Sequence, residues 1–133
     1  MANLQATTID GGITEHQSNQ STWSGTSVTI NLEIGTFFQS YFGGLSGDVT
    51  TFTINGTIPA DRAVSFILEM RTFYSGRDFN WAHANMKNKF LWPGGVPPTI
   101  TQTYNQTDIY SFSSWDQGTT WHGSVVGQNF APN

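Results

Sequence analysis

Three carboxylates, three histidines and four tryptophans are the residues of this sequence whose chemistry could amount to a site. Glu69, Asp108 and Asp116 are the candidates for glycosidic cleavage. That reaction needs two carboxyl groups about 5 Å apart for retention, or roughly 6.5–9.5 Å apart for inversion. Asp116 lies in "SSWDQGTTWHG" (residues 113–123), where Asp116-Gln117-Gly118 reads as a turn. An Asp there accepts a backbone N–H and does no chemistry. Asp108 opens a strand after a polar loop, an ordinary place for an exposed carboxylate. His16, His83 and His122 are scattered and show no metal-ligand spacing. There is no Gly-x-Ser-x-Gly elbow, and the Gly-Gly pairs lack the Lys or helix of a phosphate loop. The expectation is a non-enzymatic protein with no catalytic residue, no metal and no cofactor.

Trp81, Trp92, Trp115 and Trp121 carry a different chemistry, because flat rings stack on the apolar faces of sugars. They are the candidate contacts for a glycan or a partner protein. The same rings at alternate strand positions suit a core, each burying on the order of 200 Å², and that structural role is the favoured one. Trp115 and Trp121 flank the Asp116-Gln117-Gly118 turn, so they are expected to pair across it and set the hairpin register.

The elements that must hold these residues have period two. In "TSVTINLEI", Val28, Ile30 and Leu32 alternate with Thr29, Asn31 and Glu33. "TFFQSYF" follows as a second strand, and "GGLSGD" (43–48) is turn chemistry. "VTTFTING" closes at Asn55-Gly56. "AVSFILEM" puts Val64, Phe66, Leu68 and Met70 on one face, with Ile67 suggesting burial on the other. In "DFNWAHANMKNKFLW", Phe79, Trp81 and His83 alternate with Asn80, Ala82 and Ala84. This predicts a hairpin turning near 85–88 and returning as 90–92. "PGGVPP" (93–98) interrupts any regular element. "TDIYSFSSW" and "TTWHGSVVG" are the last two strands. Short strands every 8–12 residues with Gly-rich turns predict an all-β antiparallel sandwich, jelly-roll-like, over residues 26–133. Residues 1–25 are weakly patterned and read either as an extended N-terminal arm lying on something else or as a first edge strand.

Composition narrows the partners. Charged residues are 11% of the 133, while 48 are Ser, Thr, Asn or Gln, so little charge repulsion keeps copies apart. Five basic residues and a net charge of −4 argue against nucleic acid. There is no cysteine and no apolar run of membrane-spanning length, so no membrane insertion is expected. "MANLQATTIDGG" has neither a basic nor an apolar signal region, which predicts synthesis in the cytoplasm without export. The Asn-x-Ser/Thr sequons at Asn19, Asn55 and Asn105 then carry no glycan.

The order of motifs in the C-terminal half resembles a β-sandwich module of tailed-bacteriophage virion proteins, of the marine and cyanophage type. The matching residues are Trp92-Pro93-Gly94-Gly95, Pro98-Thr99, Asp108-Ile109 with Phe112, and Thr120-Trp121 with Gly123. With the earlier strands, the resemblance covers roughly residues 26–127. It implies a non-enzymatic virion protein, made in the host bacterial cytoplasm and commonly a homotrimer contacting other virion proteins. The chain leaves no room for a fibre shaft, which points to a small capsid decoration or head-fibre protein tethered by residues 1–25. The alternative is a tail-fibre or receptor-binding tip that binds host surface glycan.

Overall fold

A computed structural model describes residues 17–18, 21–39, 44–72 and 76–132. Among these lie strands β1 (Gln17–Ser18), β2 (Thr22–Ser24), β3 (Ser27–Asn31), β4 (Phe37–Gln39) and β5 (Thr51–Asn55). Then follow β6 (Val64–Arg71), β7 (Phe90–Leu91), β8 (Thr107–Ser114) and β9 (Trp121–Phe130). They form two packed sheets, ordered β1-β4-β6-β8-β9-β7 and β2-β3-β5. The all-β sandwich expected from the periodicity is the fold of the chain.

Strand pairing within the layers is mixed. From β3 to β6 the chain changes sheet at every step, so β3 returns beside β5, and β4 beside β6, in the same direction. The long ladders are antiparallel: β6 with β8 over Val64↔Ser114 to Arg71↔Thr107, and β8 with β9. The short pairings β1–β4 and β7–β9 are parallel.

The core lies between the layers and is dominated by phenylalanine. In β6, Phe66, Leu68 and Met70 face inward as their spacing predicts, while Ile67 on the outer face is half-buried. Phe52 of β5 reaches across from the small sheet. Its ring stacks on Phe90 at 5.3 Å and meets Phe66 and Phe112 edge-on at 6.2 and 6.0 Å. Burying each of these side chains contributes about 2–3 kcal/mol.

The N-terminal residues belong in part to these sheets. Within 1–25, residues 17–18 and 21–25 are described, and they extend the sandwich: β1 flanks β4, and β2 pairs with β3. Trp23 is buried edge-on against Phe79 at 6.0 Å, and its indole N–H donates to Ser21 Oγ at 2.9 Å. The expected tether otherwise lies outside the described residues.

The hairpin predicted over 79–92 does not form. Phe79 bridges Val49 of the neighbouring segment, and the Asn80 N–H donates to the Val49 carbonyl at 2.8 Å. Trp81 then stacks on Phe79, ring centroids 4.6 Å apart. Residues 81–89 pass through successive turns, with the Met86 and Lys87 N–H groups donating to the His83 carbonyl, both at 2.8 Å. Met86, fully buried, draws the chain inward at the expected turn; the returning segment Phe90–Leu91 is a strand as expected, but it pairs with β9 and not with residues 79–84. Alternation across Phe79, Trp81 and His83 therefore records two stacked core rings, not a ladder. Among the described residues, no helix is long and apolar enough to cross a membrane.

Candidate functional site: an aromatic cleft and a neutral flank

The three carboxylates do not converge. Met70 is opposite Asp108 in the β6–β8 ladder and shares its inner face, so Glu69 projects from the outer face. There it accepts a hydrogen bond from the Gln39 side-chain amide at 2.7 Å. Asp108 and Ser114 are six residues apart on extended β8, roughly 20 Å at the usual rise per residue, and Asp116 lies in the turn beyond Ser114. That is far beyond the separation of any catalytic pair.

Asp108 corrects the expectation of an exposed strand-opening residue, because it is fully buried. Its carboxylate gathers four donors: the N–H of Thr101 (2.7 Å), the N–H of Asn129 (2.9 Å), the Tyr110 hydroxyl (2.9 Å) and the Gln128 amide (3.1 Å). Burial by itself pushes the carboxyl up, but the backbone and hydroxyl donors together hold it below the ordinary 3.8. Burial and the adjacent Asp108 charge push the Tyr110 phenol well up. Asp108 thereby joins the 99–101 loop, β8 and the end of β9 at one buried point.

Asp116 organises the β8–β9 turn, as the turn reading predicts. Its side chain accepts from Ser114 Oγ (2.9 Å), from the Thr120 N–H (2.9 Å) and from the Thr120 hydroxyl. The Thr120 bonds lower its carboxyl to about 2. Gln117 and Gly118 both adopt positive φ, at 60° and 80°. Asp78, whose carboxyl burial pushes up, accepts the N–H groups of Phe79 (2.7 Å) and Ile100 (3.2 Å). His83 accepts the Asn85 N–H at Nδ1, and His16 lies outside the described residues. Among the described residues, no three acidic or histidine side chains are grouped to hold a metal ion.

The four tryptophans divide. Trp121 is in the core, edge-on to Phe66 at 5.1 Å. Trp115 is 60% exposed and lies on the opposite face of the hairpin. The register explains this: Ser113 is opposite His122, so Trp115, two residues on, shares the His122 face and turns away from Trp121. The expected Trp115–Trp121 pair is therefore replaced by a Trp115–His122 stack, centroids 4.1 Å apart and planes within 14°. One ring face of Trp115 is covered and the other is open.

Trp81 and Trp92 do come together, edge to face at 4.9 Å. They form the wall of a cleft of about 350 Å³, rimmed by Lys87, Asn88, Leu91 and Pro97. The cleft floor is not a flat four-ring platform, since both rings are more than nine-tenths buried. Gly123 sets the depth of Trp92: a Cβ there would lie 2.6 Å from the ring. The indole N–H groups of Trp81, Trp92 and Trp121 find no acceptor among the described residues.

Beside the cleft lies a surface that the tryptophan-based reading missed. Among the described residues, six of the seven exposed large apolar side chains are Leu91, Val96, Trp115, Val125, Val126 and Phe130. All lie on β7, the loop after it, or the β8–β9 hairpin. The signal was available in the sequence. Of the 14 charged residues, only Asp108 and Asp116 follow Lys89, and Asp108 is buried. Comparison of the chain with protein families, with curated proteins and with solved structures finds no match.

Proposed function

We propose that this chain is a non-enzymatic structural protein of a tailed-bacteriophage particle, a small capsid decoration or head-fibre protein held by contacts with other virion proteins. The observation that carries the structural part of this reading is the neutral, apolar flank of β7 and β9. Interface cores are depleted in charge and enriched in apolar side chains; among the described exposed residues after Lys89, Asp116 alone is charged, and Leu91, Val96, Trp115, Val125, Val126 and Phe130 are large and apolar. Of the carboxylates that could have done chemistry, Asp108 and Asp116 hold loops and Glu69 bonds Gln39 across β4 and β6. The phage setting rests on the motif order around Trp92-Pro93-Gly94-Gly95 and Thr120-Trp121. Mass spectrometry of purified particles tests it: the reading requires the chain in stoichiometric amounts, and its absence from intact particles contradicts it.

A second reading, a receptor-binding tip for host surface glycan, is favoured by the open ring face of Trp115. In that case glycan binding is lost on Trp115→Ala and kept on Tyr104→Ala, an even more exposed aromatic elsewhere. Binding unaffected by Trp115→Ala removes this reading.

A further inference from the structure

We infer that Asn55 is a site of spontaneous covalent modification: ring closure by the following main-chain nitrogen expels its side-chain amide, and aspartate and isoaspartate replace it. The reaction needs no partner but water and does not depend on the virion reading. The nitrogen of Gly56 attacks Cγ of Asn55, and the bond from Cγ to Nδ2 breaks. The proton given up by the attacking nitrogen leaves with Nδ2 as ammonia, and a succinimide ring remains. Water then opens the ring. Addition at Cγ restores the main chain with aspartate at position 55. Addition at the former main-chain carbonyl leaves isoaspartate, in which the chain runs on through Cγ. Nothing is oxidised or reduced.

The fold brings the requirements of this reaction together at one bond. Asn55 ends β5 with its side chain exposed, and that side chain bonds to none of the described residues. In the parallel β3–β5 ladder it is opposite Asn31, and its carbonyl accepts the Leu32 N–H at 2.9 Å. Alternate residues of such a strand carry the bonds to one neighbour, so the Gly56 N–H turns away from β3. There, among the described residues, it meets no acceptor and stays free to attack. Glycine offers no side chain to shield the approach, and the turn requires it. Its φ is 122°, and a Cβ would lie 3.1 Å from Cβ of Leu32.

Other asparagines lack this combination. The N–H after Asn85 donates to the His83 carbonyl (2.8 Å), that after Asn88 to Met86 (3.1 Å) and that after Asn105 to Thr103 (3.3 Å). Asn31 is the sharpest contrast, because it shares a row of the sheet with Asn55. Its following N–H is the Leu32 donor to Asn55, and its own Oδ1 accepts the Glu33 N–H at 3.0 Å. Asn55 is also the only asparagine in the sequence followed by glycine. Either product adds a carboxylate beside Asn31 and Thr53 and takes the net charge one unit below −4. Isoaspartate also moves the carbonyl that accepts Leu32 out of the main chain. The converted fraction therefore rises with the age of the molecule.

Peptide mapping of the full chain, kept native at mildly alkaline pH, tests this, with the same chain in urea as the unfolded reference. The expected result is an acidic species carrying aspartate and isoaspartate at position 55, formed before any conversion at Asn31, Asn85, Asn88 or Asn105. Asn55→Gln abolishes this species, since glutamine would have to close a larger ring. The position is exposed, so the variant is expected to melt with the parent. Asn55 left intact in the native chain, whether or not the unfolded chain converts, overturns the inference. Conversion at Asn31, Asn88 or Asn105 as early as at Asn55 overturns it equally.

Discussion

Replacing Asp108 is the most informative perturbation of the fold. Asp108→Ala strips the acceptor from the Thr101 N–H and the Tyr110 hydroxyl, both inside the structure, and from the Asn129 N–H nearer the surface. A buried donor left without an acceptor costs about 1–3 kcal/mol, while removing a buried carboxylate returns part of that through its own desolvation. Two fully affected donors give a net loss of about 3 kcal/mol, or ~10 °C in melting temperature for a domain of this size. Asp108→Asn keeps the shape but turns an amide donor toward one of the two backbone N–H groups, costing about 2 kcal/mol. Acidity separates this account from a simple packing effect. The folded carboxyl lies below its ordinary 3.8, so its contribution is fully present above that value and is lost as pH falls through the folded value. The gap between the parent and Asp108→Asn is therefore wide at neutral pH and narrows below pH 3.8. Urea unfolding at a series of pH values measures it. A gap under about 0.5 kcal/mol at neutral pH, or one that does not narrow in acid, refutes the hub.

Three further outcomes follow from the geometry. Gly44→Ala places a Cβ 1.8 Å from the Trp23 carbonyl oxygen, so backbone must move, and a loss of about 3 kcal/mol is expected in denaturant unfolding. Trp121→Ala loses about 3–5 kcal/mol and Trp115→Ala about 1 kcal/mol; the double variant is additive because the rings occupy opposite faces. A coupling above about 1 kcal/mol would falsify the opposite-face placement. Because the Thr120 bonds lower the Asp116 carboxyl to about 2, its support of the turn persists below pH 3.8 and is lost only as pH falls through about 2. NMR titration of the Asp116 carboxyl carbon reads this directly, and a midpoint near 3.8 contradicts it.

The fold was legible where one face of a strand is buried and the other is not. Val64, Phe66, Leu68 and Met70 announce β6, and Tyr110 and Phe112 announce β8, because a one-residue slip would expose them all. The turn at Asp116 was legible from residue type. Three things were not. Alternation at Phe79 and Trp81 comes from rings stacked within one segment, which has the same spacing as a strand. Asp108 looks exposed in sequence because its donors come from Thr101, Gln128 and Asn129, brought to it only by the tertiary fold. The separation of Trp115 from Trp121 depends on which residues pair across the turn, and composition cannot supply a register. The neutral flank, by contrast, is written plainly in the run without charge after Asp116. It passes unnoticed when attention is on the tryptophans, because hydrophobic residues are expected to be inside.

Quantitative mass spectrometry of purified phage particles, before and after repurification, tests the central claim most directly. A structural virion protein is expected at a fixed ratio to the other virion proteins that repurification does not change. Loss of the chain on repurification, or its absence from intact particles, would contradict it.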